Sequence, residues 1–331
     1  MPARAFVKIT KETTYSTFPT SPAASAEAAI HIASGNDGMV RKTLDMWTLR
    51  SAGASNRKLL TGSERYMAGG KISTPLFGIQ AKLLMSLIQG IANTGSGPYD
   101  LPSFALQYGV WTDDNQTLIM QRCLGCKVAK ATLKASTTSP VVMLDMDIVA
   151  SQVIAVPSVP TINFPEPTFA LAATTVTTPA TPPLAYYPVT DPFAFQDTSG
   201  GILLNSVTQA NYEEWELNFT NMLQASSFEA AYVQALYWRG RDVTFTLKKQ
   251  YKNATDRTNY EAVTALASAS FAINDGTNTG TFTMNNQNFL SSVKDDLPAA
   301  TTYTQTLTME NFLDPSANSG LGEDIHYAQT P

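Results

Sequence analysis

Two periodicities divide the chain. Apolar and polar residues alternate in steps of two over 43–49, 103–111, 117–123 and 127–135, which predicts half-buried strands. In 127–135 the period sets Val128, Lys130, Thr132 and Lys134 against Lys127, Ala129, Ala131, Leu133 and Ala135. It is cleanest over 141–153, where Val142, Leu144, Met146 and Ile148 share one side and Met143, Asp145, Asp147 and Val149 the other. The spacing turns helical between Leu76 and Ile91: Leu76, Ile79, Leu83, Leu84, Leu87, Ile88 and Ile91 form one apolar face. Thr74 as N-cap and Pro75 at the first helical position predict where this helix starts, and Gly90 or the 93–98 cluster where it ends. Residues 1–40, rich in Thr, Ser, Ala and Pro, read as an extended arm with a helical turn or two over 24–32.

From 156 to 192 nine prolines punctuate Thr, Val and Ala, a density that forbids paired strand or helix and predicts an extended linker. Alternation then resumes. Over 212–220, Trp215, Leu217 and Phe219 oppose Glu214, Glu216 and Asn218; over 241–247, Val243, Phe245 and Leu247 oppose Thr244 and Thr246. A less apolar helix is expected over 251–267, a hairpin over 268–274 and 280–286 around the turn 275–279, and a closing strand over 301–311. The order of the first half therefore recurs: Trp47 corresponds to Trp215, Gly70 to Gly240, and Asp145-Met146-Asp147 to Thr308-Met309-Glu310. The separations are about 165 residues, a typical domain length, which points to internal duplication.

Composition narrows the function. Charged residues make up 15% of the 331, well under the roughly 25% of an average soluble domain, which fits a surface covered by copies of itself and equally a Thr/Ser/Asn/Gln-rich β-protein that stays monomeric. A net charge of −5 argues against a protein that grips nucleic-acid phosphates, which requires clustered Lys and Arg. No stretch is apolar and long enough to span a membrane as a helix. Cys123 and Cys126, with no His nearby, cannot complete a zinc site and read as ordinary thiols. No catalytic constellation is visible. His31 and His326 fall in terminal segments expected to be flexible, the Gly-x-Ser-x-Gly and phosphate-loop motifs are absent, and the acid pairs Asp113-Asp114, Glu213-Glu214 and Asp295-Asp296 are adjacent, so on a strand each pair would point to opposite faces. Catalytic, cofactor and metal residues are thus expected to be absent.

The stretch from Leu124 to Ala135, followed by the strand over 141–153, resembles the central hairpin of tail tube proteins from siphophages. The Gly69-Gly70-Lys71-Ile72-Ser73-Thr74-Pro75 unit leading to Leu83-Leu84 and the closing segment 280–311 are similar to the same family. The resemblance implies a mainly β chain of two tandem β-sandwich or barrel-like modules, each with one flanking helix. The corresponding division is an arm (1–40), a first module (41–155), the Pro/Thr-rich linker (156–192), a second module (193–315) and a C-terminal tail (316–331). It also implies a homo-oligomer, trimeric rings with pseudo-six-fold symmetry stacked into a virion tail tube, working with tape-measure and tail terminator or tip proteins while DNA passes without specific binding. Closing a sheet between subunits would remove its exposed edges, and head-to-tail ring contacts stack into an open filament. If the strand over 141–153 lines such a tube, Asp145 and Asp147 are lumen-facing candidates whose charge would keep DNA off the wall; the other reading of the same pattern is a solvated outer face. The alternative is a β-sandwich binding module for carbohydrate or receptor, with Tyr232, Tyr237 and Trp238 as its aromatic cluster.

Overall fold

A computed structural model describes residues 5–19, 27–30, 40–45, 48–50, 58–60, 65–90, 101–111, 118–156, 191–194, 201–209, 211–226, 232–250, 254–266, 269–284, 288–296, 303–312 and 324–330. The linker predicted over 156–192, Trp47, His31 and the Asp113-Asp114 turn lie outside these residues, apart from Val156 and the last two linker positions.

The protein is mainly β and antiparallel throughout. The first half contributes β1 (Ala5–Lys11), β2 (Glu27–Ile30), β3 (Val40–Asp45), β4 (Thr48–Arg50), β5 (Lys58–Leu60), β6 (Arg65–Pro75), helix α1 (Gly78–Gln89), β7 (Phe104–Trp111), β8 (Leu118–Ser136), β9 (Met143–Ala150) and β10 (Gln152–Val156). The second half contributes β11 (Ile202–Leu204), β12 (Val207–Gln209), β13 (Tyr212–Ser226), β14 (Ala235–Gln250), helix α2 (Thr255–Glu261), β15 (Ala269–Asn274), β16 (Thr279–Met284), β17 (Asn288–Asp296), β18 (Thr304–Asn311) and β19 (Ile325–Thr330).

A 12-stranded sheet spans both halves. Its long run reads β3-β6-β9-β8-β13-β14-β18-β17, and β8 leaves that run at its N-terminal end to join β2-β1-β7-β8-β10. A five-stranded sheet, β12-β11-β15-β16-β19, packs against the second-half part of the run. Phe271 forms the centre of that contact: its ring lies 4.9 Å from Trp215, 5.1 Å from Phe245 and 4.8 Å from Phe282, which in turn meets Tyr327 at 4.8 Å. Such offset aromatic contacts add to the burial of their area. They make a β-sandwich, as the family resemblance implies.

Several local expectations are corrected. The helix begins at Gly78, four residues after Thr74, because β6 continues through Pro75 against β9, and Leu76 stays in the ladder by donating to Val142 O and accepting from Phe193 N. Its N-cap, Phe77, has no side-chain cap; the Asp275 carboxylate in the β15–β16 turn takes the Gly78 N–H instead. Gly90 ends the helix as predicted, while Ile79 is 71% exposed rather than on the buried face. The helical turn expected over 24–32 is strand β2, held to β1 in the register Val7↔Ile30 to Thr10↔Glu27. The helix expected over 251–267 shortens to α2, and His326, expected in a flexible tail, sits on β19 opposite Thr283.

The two strands expected at 117–123 and 127–135 are one strand, β8. It bulges at the Cys-x-x-Cys segment, where three steps along β8 match two along β7 and Gly125 takes φ +61. A Cβ on Gly125 would also approach Ser151 Cβ to 2.8 Å. A second irregularity at Ala129 flips the alternation, so Val128 joins Ala131, Leu133 and Ala135 in the core, and Lys130, Thr132 and Lys134 face outward.

Candidate functional surface

The long run has one packed face and one polar face, and β9 shows both at single-residue resolution. Leu144, Met146, Ile148 and Ala150 are buried, while Met143, Asp145, Asp147 and Val149 are half exposed, the alternation the sequence predicts. Strand register carries Asp145 and Asp147 into rows that cross the sheet. One row reads Ser73–Asp145–Thr132–Asn218–Thr244–Glu310, and the next Lys71–Asp147–Lys130–Thr220–Asp242. Opposite residues on neighbouring strands stand close enough for side chains to interact.

The contacts in these rows are polar and short. Ser73 Oγ donates to Asp145 Oδ1 at 2.5 Å and Lys134 Nζ to Asp145 Oδ2 at 2.6 Å. Lys71 Nζ lies 3.7 Å from Asp147. Thr132 Oγ1 donates to Asn218 Oδ1 at 2.6 Å, and Asn218 Nδ2 to Glu216 Oε1 at 2.5 Å. Partial burial works to raise the Asp145 pKa, but the Lys134 ammonium, the Ser73 hydroxyl and the more distant Lys71 outweigh it and hold the carboxyl below its usual range. The surface is therefore hydrophilic, with Asp145, Asp147, Glu216 and Glu310 interleaved with Lys71, Lys130 and Lys134, and with Asp145 bonded to Lys134 and Asp147 beside Lys71. Sequence alternation located the two aspartates. It could not supply their partners, because Lys71, Ser73 and Lys134 reach them only through strand register.

Ionisable groups on the packed side behave in the opposite way. Glu12 is buried and accepts from Gly125 N and Ser16 N, each at 2.9 Å; burial outweighs these bonds and raises its pKa. Cys123 and Cys126 are free and buried, and burial pushes the Cys123 thiol up to about 12, a state unsuited to nucleophilic chemistry. Arg241 is clamped between α1 and the last strand: it donates to Gln89 O at 2.6 Å and forks onto both Asp324 carboxylate oxygens. Among the described residues no group of three or more His, Cys, Asp and Glu gathers as a metal site, and no helix is long and apolar enough to cross a membrane. Tyr232, Tyr237 and Trp238 fall on or just before the start of β14, where Tyr237 is exposed and Arg239 lies 5.7 Å from its ring.

No curated protein matches this chain. The family model described as phage tail tube protein matches residues 2–325. With a match over nearly its whole length, on a mainly β sandwich, the chain belongs to the phage tail tube protein family, whose members are structural subunits of the many-copy tube in a virion tail.

Proposed function

We propose that this chain forms stacked rings of three copies with pseudo-six-fold symmetry, and that the polar face of the long run lines a lumen through which DNA passes from capsid to host. The observation that carries this is the polar row that crosses the run from Ser73 on β6 through Asp145 on β9 to Glu310 on β18, with Asp147 in the row beside it. A passing polyanion meets carboxylates already paired with lysines, so the wall offers few unpaired cations to release counterions from DNA. The function is mechanical and non-enzymatic. The subunit contacts other copies of itself along the tube and tape-measure and terminator or tip proteins at its ends, within the virion tail.

Negative-stain electron microscopy of the concentrated protein tests assembly: hollow tubes or ring stacks are expected, and a binding module would remain small and bind glycans. The lumen assignment is tested by replacing Asp145 and Asp147 together with Lys. Genome delivery at low salt should fall, because two charges per copy change sign, a net shift of about four units towards attraction; normal delivery would count against a lumen role for this face.

A further inference from the structure

Helix α1 has no acidic residue in its first turn and no basic residue in its last. A helix this short is marginal by itself, and the N–H and C=O groups at its ends need partners from elsewhere. The second half supplies them. At the start, the Asp275 carboxylate takes the Gly78 N–H, and Gln329 Nε2 donates to Gly78 O at 2.8 Å. The approach is close, since a Cβ on Gly78 would meet Asn278 Cβ at 2.9 Å. At the end, Asn221 Nδ2 donates to Ile88 O at 3.1 Å and Arg241 to Gln89 O at 2.6 Å. An anion therefore stands at the positive end of the helix dipole and a cation at the negative end, both from the other half of the chain. By contrast, α2 carries Asp256 in its own first turn and buries none of its residues.

Strand β19 reaches both ends of α1. Gln329 holds Gly78 directly. Asp324, just ahead of the strand, forks onto Arg241, and it is fixed in turn by Asn311 Nδ2 donating to its backbone O and by Ile325 N donating to its Oδ1 at 2.8 Å. The spans match. A helix rises about 17 Å from Gly78 to Gln89, and a strand covers about 17 Å from Asp324 to Gln329. β19 thus runs along α1 in the opposite direction, touching it, while β8 and β2 of the first half pack against the helix as well.

We infer that β19 is a strap for α1, and that helix and strand open and close as one unit, apart from the sheets on which they lie. Lifting β19 withdraws Gln329 and frees Arg241, so both helix ends lose partners in one step. Undocking α1 strips β19 of the same contacts and bares the buried Leu83, Leu84, Leu87 and Ile88. Cooperative units of this kind exchange their amide hydrogens together, below the free energy of global unfolding. All of these contacts lie within one chain, so the strap does not depend on how copies assemble.

The test is native-state hydrogen exchange of the full chain, read by mass spectrometry of peptides from α1, β19, β1 and β7. Ile325→Ala removes apolar packing from β19, where Ile325 is buried opposite Met284. It should speed exchange in β19 about tenfold or more, and exchange over 78–89 by a similar factor, with β1 and β7 unchanged. Coupling between sites is reciprocal, so Leu84→Ala in α1 should speed β19 as well. Gln329→Ala, on a half-buried side chain, makes the same comparison at a smaller factor if either core variant fails to fold. Faster exchange in β19 with α1 unaltered, or in α1 with β19 unaltered, would overturn the inference. An increase shared equally by β1 and β7 would overturn it too, because helix and strap would then have no opening of their own.

Discussion

On one side of β13, Trp215, Leu217 and Phe219 are buried, with Trp215 against Phe271 of the five-stranded sheet; on the other, Glu216 and Asn218 join Thr132 in a row of polar contacts. The same strand therefore serves two physical regimes a few ångströms apart. On the packed side stability comes from removing apolar area from water, and an ionisable group such as Glu12 is driven towards its neutral form. On the polar side solvent screens the contacts, and Asp145 is kept ionised by its lysines. The packed face holds the subunit together. The polar face takes no part in that packing.

The largest expected break is on the packed face. Phe271→Ala removes the ring that touches Trp215, Phe245 and Phe282, and should cost about 3–5 kcal/mol in denaturant unfolding. Arg241→Leu should cost about 3 kcal/mol or more by stranding the Asp324 carboxylate among buried neighbours, with β19 losing hydrogen-exchange protection first. Gly125→Ala forces a side chain into a left-handed backbone position beside Ser151 and Tyr15, and should cost roughly 1–3 kcal/mol. By contrast, Thr132→Ala on the polar face should stay within about 0.5 kcal/mol although it removes a short hydrogen bond.

Acid titration sharpens the comparison, because the two carboxylates have opposite signs. Asp145 is depressed in the folded state, so its contribution is present above the unfolded carboxylate pKa and is lost as pH falls through its lower folded value. Glu12 is raised, so its contribution is present below the unfolded pKa and is lost as pH rises through its higher folded value. Stability curves of Asp145→Asn should therefore converge with wild type in acid, and those of Glu12→Gln should show less loss than wild type on moving from acid towards neutral pH.

How much of this was legible in the sequence follows from whether the signal is local. The faces of β9, β13 and β14 were readable because alternation is a property of the strand itself. The start of α1 was not, because the Thr74-Pro75 cue belongs to a strand and the helix end is held by Asp275, far away in the chain. The parity of β8 was misread for the same kind of reason: the bulge at Ala129 exists only in relation to β9. The lysines that pair with Asp145 and Asp147 likewise needed register, although the residues themselves were plain.

The most direct test of the account is cryo-electron microscopy of assembled tubes at a resolution that shows strands. The account predicts three copies per ring, with Asp145 and Asp147 of β9 turned to the lumen. Six copies per ring, or a tube whose lumen is walled by the five-stranded sheet with this polar face outside, would contradict it.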